Sequence, residues 1–176
     1  PGSPLLLTHG MAAHTHWWDA VIPLWKGVFH AAALDFRGHG DSDWIEDSPY
    51  VSARWVEDIE TARKALGWER FILVGHSMGA RIALDYAERH GERLRGVSAI
   101  DFLPEFYSSR ERSYSKTRAR AQPVYDNEDI MLAKFRLQPP GTLLDENGLR
   151  ELGKHGVRKT GAGWSWKFDW RSFSFP

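Results

Sequence analysis

Phe71-Ile72-Leu73-Val74-Gly75-His76-Ser77-Met78-Gly79 is an apolar run that breaks into a Gly-x-Ser-x-Gly pentapeptide. The run reads as a buried strand, and Met78 to His90, with Ile82, Ala83, Tyr86 and Ala87 at helical spacing and Gly91 closing it, reads as a helix. A serine in so tight a strand-to-helix turn is lifted above the end of a sheet. Glycines flank it because side chains there would collide with neighbouring backbone. The helix adds partial positive charge at its N-terminal amides, which stabilises an anion formed at the serine. Ser77 is therefore a candidate nucleophile.

Two upstream segments make this reading specific. Leu5-Leu6-Leu7-Thr8 is a strand that runs into His9-Gly10-Met11, a turn whose backbone N–H is placed to face a reacting carbonyl. Ala31-Ala32-Ala33-Leu34-Asp35-Phe36-Arg37-Gly38-His39-Gly40-Asp41-Ser42 is a strand that runs into a charged, glycine-rich turn. Strands are expected at Leu5 to Thr8, Phe29 to Phe36, Phe71 to Val74 and Val97 to Phe102, each a near-continuous apolar stretch as in a parallel sheet covered on both faces. Helices are expected with Val51, Trp55, Ile59, Ala62 and Leu66 on one face, started by Ser48-Pro49 and ended by Gly67, and over His16 to Trp25.

The ordered trio of motifs, over roughly the first hundred residues, resembles the α/β-hydrolase family, whose members carry a His-Gly turn, an Asp-x-Arg-Gly-x-Gly-x-Ser turn and a serine elbow in this succession. The resemblance implies an α/β fold, a mostly parallel sheet with flanking helices plus a helical lid. Residues 1–103 would form the first part of the core and 104–176 the lid, or cap, insertion. It places two oxyanion donors at the backbone N–H groups of Met11 and Met78. It also implies substrate contacts from His9, Gly10, Met11, His76 and Met78, with Trp164 and Trp166 contributing an aromatic lid face. Asp101, at the end of the strand after the serine helix, is a candidate triad acid, although aspartate is also common there for structural reasons.

The family order is nucleophile, acid, histidine, and strand-helix alternation stops after Phe102. The triad histidine is therefore expected outside these 176 residues, in a chain incomplete at both ends and especially the C-terminal one. Pro1-Gly2-Ser3-Pro4 enters a strand with no initiator methionine, which fits that expectation. Of the eight histidines, His14, His16 and His155 are the ones that could enter a pocket, each with a wall or surface role as the blander reading. His90, at a helix C-terminus, reads as structural.

Beyond Phe102, Pro104 to Gln122 is polar and basic, Asp126 to Leu137 looks helical, and Asp145 caps a helix to about His155. Trp164 to Trp170 alternates aromatic with smaller residues at a strand period of two. Ser172 to Pro176 carries no legible folding pattern.

Composition bounds the function. The chain is 42% hydrophobic with 23 basic and 23 acidic residues, so no global field recruits nucleic acid or an anionic membrane. Residues 1–103 hold 10 Lys/Arg against 14 Asp/Glu, net −4, and residues 104–176 hold 13 against 9, net +4, which predicts two parts that attract each other. Without cysteine there are no disulfides or thiol catalysis, and cytoplasm is the expected compartment. No apolar stretch reaches the ~20 residues of a bilayer span. No His-Glu-x-x-His or clustered carboxylate spacing points to a metal, and no cofactor is expected.

Serine at the elbow points to acyl transfer, because relatives that open epoxides or displace halide use aspartate there to form an alkyl ester. Hydrolysis of a small carboxylic ester, apolar or aromatic, is the first expectation. Carbon–carbon bond hydrolysis, cofactor-free peracid formation and a non-catalytic fragment or binding protein are the alternatives. An isolated sheet with an unpaired edge is further expected to be poorly soluble or to oligomerise.

Overall fold

The computed structural model describes residues 2–46, 50–102, 121–137 and 140–174. Four parallel strands form its sheet: β1 (Ser3–Thr8), β2 (Phe29–Leu34), β3 (Phe71–His76) and β4 (Leu94–Ile100), in the order β2-β1-β3-β4. Leu5 pairs with Ala31 on one side and Ile72 on the other, which fixes β1 in the middle. Its residues Leu5 to Thr8 are buried on both faces, as the unbroken apolar run requires.

Alternation along β1 divides two hydrophobic clusters. Leu6 faces a cluster with Phe36, Trp55, Ile59, Leu73, Ile82 and Tyr86, beneath helices α1 (Ser52–Ala65) and α2 (Met78–His90). Leu5 and Leu7 face Trp18 and Val74, covered by Val21, Ile22 and Trp25. The two helices are joined by a hydrogen bond from Tyr86 Oη to Glu60 Oε2 (2.9 Å) and one between Ser52 and Asp85.

The expected helix over His16 to Trp25 is absent. Two short 3-10 turns, Thr15–Trp18 and Ile22–Trp25, take its place. Pro23 lacks the N–H a continuous helix would need from it and sits instead in the first turn of the second piece. The start signal Ser48-Pro49 lies outside the described residues; α1 begins at Ser52 and ends just before Gly67, whose φ is +67°.

The C-terminal region is built differently. Two short helices, α3 (Glu128–Leu132) and α4 (Glu146–His155), accompany an antiparallel hairpin of β5 (Val157–Thr160) and β6 (Gly163–Trp166). Asn127 and Asp145 cap the helices by accepting from the N–H groups of Ile130 and Gly148. The helix expected over Asp126 to Leu137 is therefore only its first part. The hairpin gives the expected Trp164 strand a partner that had not been anticipated. A 3-10 turn, Trp170–Ser174, ends the described chain.

This region is tied to the sheet mainly through polar contacts. Asp169 is buried, its N–H donates to Gly38 O (2.8 Å), and its carboxylate accepts from Tyr50 Oη (2.9 Å) and Arg171. Lys167 pairs with Asp41 at 2.6 Å, one ion pair of the kind the opposite charge of the two parts predicts.

Candidate active site

The strand order reverses direction at β1 and β3: the chain steps from β1 to β2 on one side and to β3 on the other. Such a switch point opens a crevice beyond the carboxyl ends of the two strands. His9-Gly10-Met11 leaves β1 there, and His76-Ser77-Met78 leaves β3 there.

Ser77 adopts φ 53°, ψ −114°, a conformation that costs an L-residue on the order of 1–3 kcal/mol and is held only when its surroundings dictate it. They do so here by close packing. A Cβ on Gly75 would overlap the Gly79 carbonyl, and one on Gly79 would sit 2.6 Å from the His9 carbonyl oxygen. The Ser77 N–H donates to Ile100 O (2.9 Å), while its carbonyl accepts from Ala80 and Arg81 as α2 begins. Among the described residues the Ser77 hydroxyl has no hydrogen-bond partner.

Gly10 lies directly against this turn: a Cβ there would be 3.0 Å from His76 Nδ1 and 3.3 Å from Ser77 Cβ. The Met11 and Met78 N–H groups make no described backbone hydrogen bond, and Met78, first in α2, has no intrahelical acceptor. The Met78 side chain is buried in the larger cluster, and Met11 packs against its edge. The elements thus bring Ser77, Gly10, Met11, His76 and Met78 into one neighbourhood.

The histidines around it are kept neutral. His9 is fully enclosed, with Nδ1 2.7 Å from Gly10 O and Nε2 3.1 Å from the Phe36 N–H, so Nδ1 carries the proton and Nε2 accepts. Both nitrogens hold backbone, and the ring shapes the turn where a substrate contact was expected. Burial lowers the pKa of His9 and, further, of His39, whose rings lie 5.1 Å apart. Asp35 anchors its own turn, accepting from Thr15 N (2.7 Å) and Asp41 N (3.0 Å).

Asp101 follows β4 with φ 53°, and its carboxylate lies 3.7 Å from His76 Nε2. Burial lowers the His76 pKa, while Asp101 pulls it the other way. Asp101 therefore stands at the rim of the crevice facing a histidine, yet that histidine is part of the elbow. Trp17 stacks over the His76 ring at 6.4 Å and 22°, a wall that the expected aromatic helix contained without singling it out.

Trp164 and Trp166 go elsewhere. Both pack with Met131, Leu132 and Val157 in the small core of the C-terminal region, Trp166 within 6.2 Å of Tyr125 and 6.0 Å of Phe135. No contact of either ring with the elbow occurs among the described residues. The C-terminal region instead reaches the site through Ser172, whose Oγ donates to Asp169 O (2.6 Å) and lies 3.5 Å from Met11 Sδ. Nothing in the sequence around Ser172 signalled this.

A sequence profile of the alpha/beta hydrolase fold matches residues 3–121. The Serine hydrolase-like protein of Danio rerio is 28% identical over 185 residues, covering 97% of this chain and 56% of its own. The Fluoroacetate dehalogenase of a Burkholderia species is 31% identical over 114 residues, covering 62% of this chain and 38% of its own. Among solved structures, an M. tuberculosis esterase superposes with a TM-score of 0.82 over 100% of this chain and 61% of that one, at 24% identity, a likeness of fold. The match thus spans 56% of the Danio rerio relative and 38% of the Burkholderia one, less than two thirds of either.

Proposed function

Because the chain belongs to the alpha/beta hydrolase fold family, we propose that it carries the nucleophile and oxyanion pocket of a serine hydrolase acting on small carboxylic esters. The observation that carries the proposal is Ser77, held at φ 53° between β3 and α2 with Gly10 packed against its Cβ. Residues 104–176 are read as a cap over this crevice, a reading supported by the approach of Ser172 Oγ to Met11 Sδ (3.5 Å).

Attack by Ser77 Oγ on the ester carbonyl forms a tetrahedral oxyanion between the N–H groups of Met11 and Met78. Each donor of this kind is worth roughly 2.7–4 kcal/mol to the barrier. Collapse expels the alcohol and leaves an acyl-enzyme, which water then cleaves. A serine hydroxyl needs a base to take its proton, and no histidine is hydrogen-bonded to Ser77 among the described residues. The proposal therefore draws the base from outside them, with Asp101 as candidate acid. Trp17 and Met11 give the crevice apolar walls, which favours an apolar or aromatic acyl group.

Serine separates this reading from the reaction named for the Burkholderia relative, because halide displacement at the elbow calls for a carboxylate that can form an alkyl ester. Carbon–carbon bond hydrolysis and peracid formation would use the same serine and oxyanion pair. One observation favours a second reading, binding without turnover: the Ser77 hydroxyl has no base among the described residues. Incubation with a fluorophosphonate probe, together with an assay on short-chain nitrophenyl esters, tests both. Labelling at Ser77 and ester turnover that is lost in Ser77→Ala is the expected result. A folded protein whose Ser77 stays unlabelled would overturn the hydrolase reading, and labelling without turnover would favour the second.

A further inference from the structure

His16 and His155 lie far apart in sequence but stack at a ring-centroid distance of 3.6 Å with planes 14° apart. His16 belongs to the 3-10 turn that follows the His9-Gly10-Met11 segment, and His155 ends α4 in the C-terminal region. Asp19 completes the group, its Oδ2 2.7 Å from His16 Nδ1. One donor atom from each of the three residues falls within 4.8 Å of the others.

We propose that His16, Asp19 and His155 form a binding site for a divalent transition-metal ion, of the zinc class, that clasps the C-terminal region to the turn beside Met11. Two imidazoles and one carboxylate are a recognised donor set for such ions, leaving the fourth tetrahedral position to water. Donors at about 2.1 Å from one ion stand roughly 3.3–3.4 Å apart. His16 and Asp19 must therefore separate slightly and the remaining donor must close by at most about 1.4 Å. All three side chains reach the surface, two of them exposed, which leaves them room to rotate.

Three surroundings favour a cation here. His155 stands at the carbonyl end of α4, where the helix dipole is negative. His14, 5.9 Å from His16 and 6.4 Å from His155, is buried with neither ring nitrogen hydrogen-bonded. Asp35 brings a second carboxylate close by, bonded to the Thr15 N–H at the head of the same turn. A stack of two imidazoles without an ion gains little, and a third imidazole buried without partners beside it points to the same spot as a place for a positively charged ligand.

The test is titration of the chelator-stripped protein with Zn²⁺ by calorimetry and with Co²⁺ by visible absorption. One equivalent should bind, with Co²⁺ showing the intense bands of a four-coordinate nitrogen and oxygen site. His155→Ala and Asp19→Asn should each weaken binding by about 100-fold or more, whereas His30→Ala/His90→Ala should leave it unchanged. Thermal melts without metal establish that the variants fold, and a rise in melting temperature with Zn²⁺ should be confined to the parent and the His30/His90 variant. Should His155→Ala fail to fold, imidazole proton resonances of the parent decide: Zn²⁺ should shift His16 and His155 and spare His30 and His90. Binding that survives in His155→Ala, equal shifts at all histidines, or no stoichiometric binding by the parent would each overturn the proposal.

Discussion

The sheet region and the C-terminal region are held together by opposite means. Between β1, β3 and their helices, Leu6, Trp55, Ile59, Phe71, Leu73, Ile82 and Tyr86 are sealed from solvent in one continuous cluster. Among the described residues of the C-terminal region, the buried hydrophobic cluster is limited to Met131, Leu132 and Val157. Burial of large apolar side chains stabilises by roughly 1.5–3 kcal/mol each, so the first region carries its own core and the second leans on long-range polar ties such as Asp169 to Tyr50. Chemistry that needs rigid placement sits on the first. The second is suited to covering it.

That contrast can be broken most severely at the elbow. Ser77→Ala should abolish ester turnover, by about 10⁴–10⁶-fold, while leaving the melting temperature of both regions near that of the parent. A large loss of stability would mean that the serine side chain, and not the surrounding glycines, holds the turn.

Asp169→Ala should do the reverse. It removes the acceptor of the buried Tyr50 hydroxyl and of Arg171, which costs about 2–4 kcal/mol. Urea unfolding should show the loss, and limited proteolysis should cut within residues 121–174 while the sheet region stays intact. An unchanged midpoint would contradict the dependence of the second region on this tie.

At the junction of the two, His14 makes the contrast sensitive to pH. Its ring packs against the backbone of Gly156, where a Cβ would lie 3.1 Å from Nε2. Free imidazole takes up a proton near 6.5 and the native ring only near 4. Between those values the unfolded chain binds more protons. Stability is therefore complete above 6.5 and falls as pH is lowered toward 4, by up to about 3 kcal/mol from this group. His9 and His39 act in the same direction. In His14→Phe the fall over that window should be smaller; an identical slope would exclude His14 as its source.

Met11 gives the smallest expected effect, because it belongs to both regions. Its N–H is assigned to the oxyanion, whereas its sulfur lies 3.5 Å from Ser172 Oγ. Met11→Ala should shift preference among ester chain lengths and change kcat by no more than about 10-fold, since alanine keeps the amide. Complete loss of turnover with the fold intact would show that the side chain does more than line the crevice.

The sheet region was legible because its constraints are local. Unbroken apolar runs required strands buried on both faces, and Gly75 and Gly79 stand where a Cβ would strike backbone. The interval from Met78 to His90 could be read from apolar spacing and Gly91. Where Pro23 interrupts the aromatic stretch, spacing alone gave one helix and the missing N–H gave two 3-10 turns. The C-terminal region was harder because partners far apart in sequence decide it. Val157 to Thr160 has one apolar residue in four and no strand period of its own, so the glycines at 161 and 163 are the turn signal that could have revealed the hairpin. Trp164 and Trp166 showed their shared face correctly, but a pattern of faces does not say which neighbour fills them. His16 with His155, and Ser172 with Met11, meet only through folding, so no spacing rule finds them.

One backbone hydrogen bond joins the reacting turn to the least protected part of the sheet. The Ser77 amide donates to Ile100, at the end of β4, a strand paired only with β3 among the described residues and exposing Val97 and Ile100 to solvent. Fraying of that strand and loosening of the serine turn are thus one event. The exchange rate of a single amide hydrogen, that of Ser77, reads out how firmly the border of the sheet is closed, and any segment that pairs with β4 would be felt at the nucleophile as slower exchange.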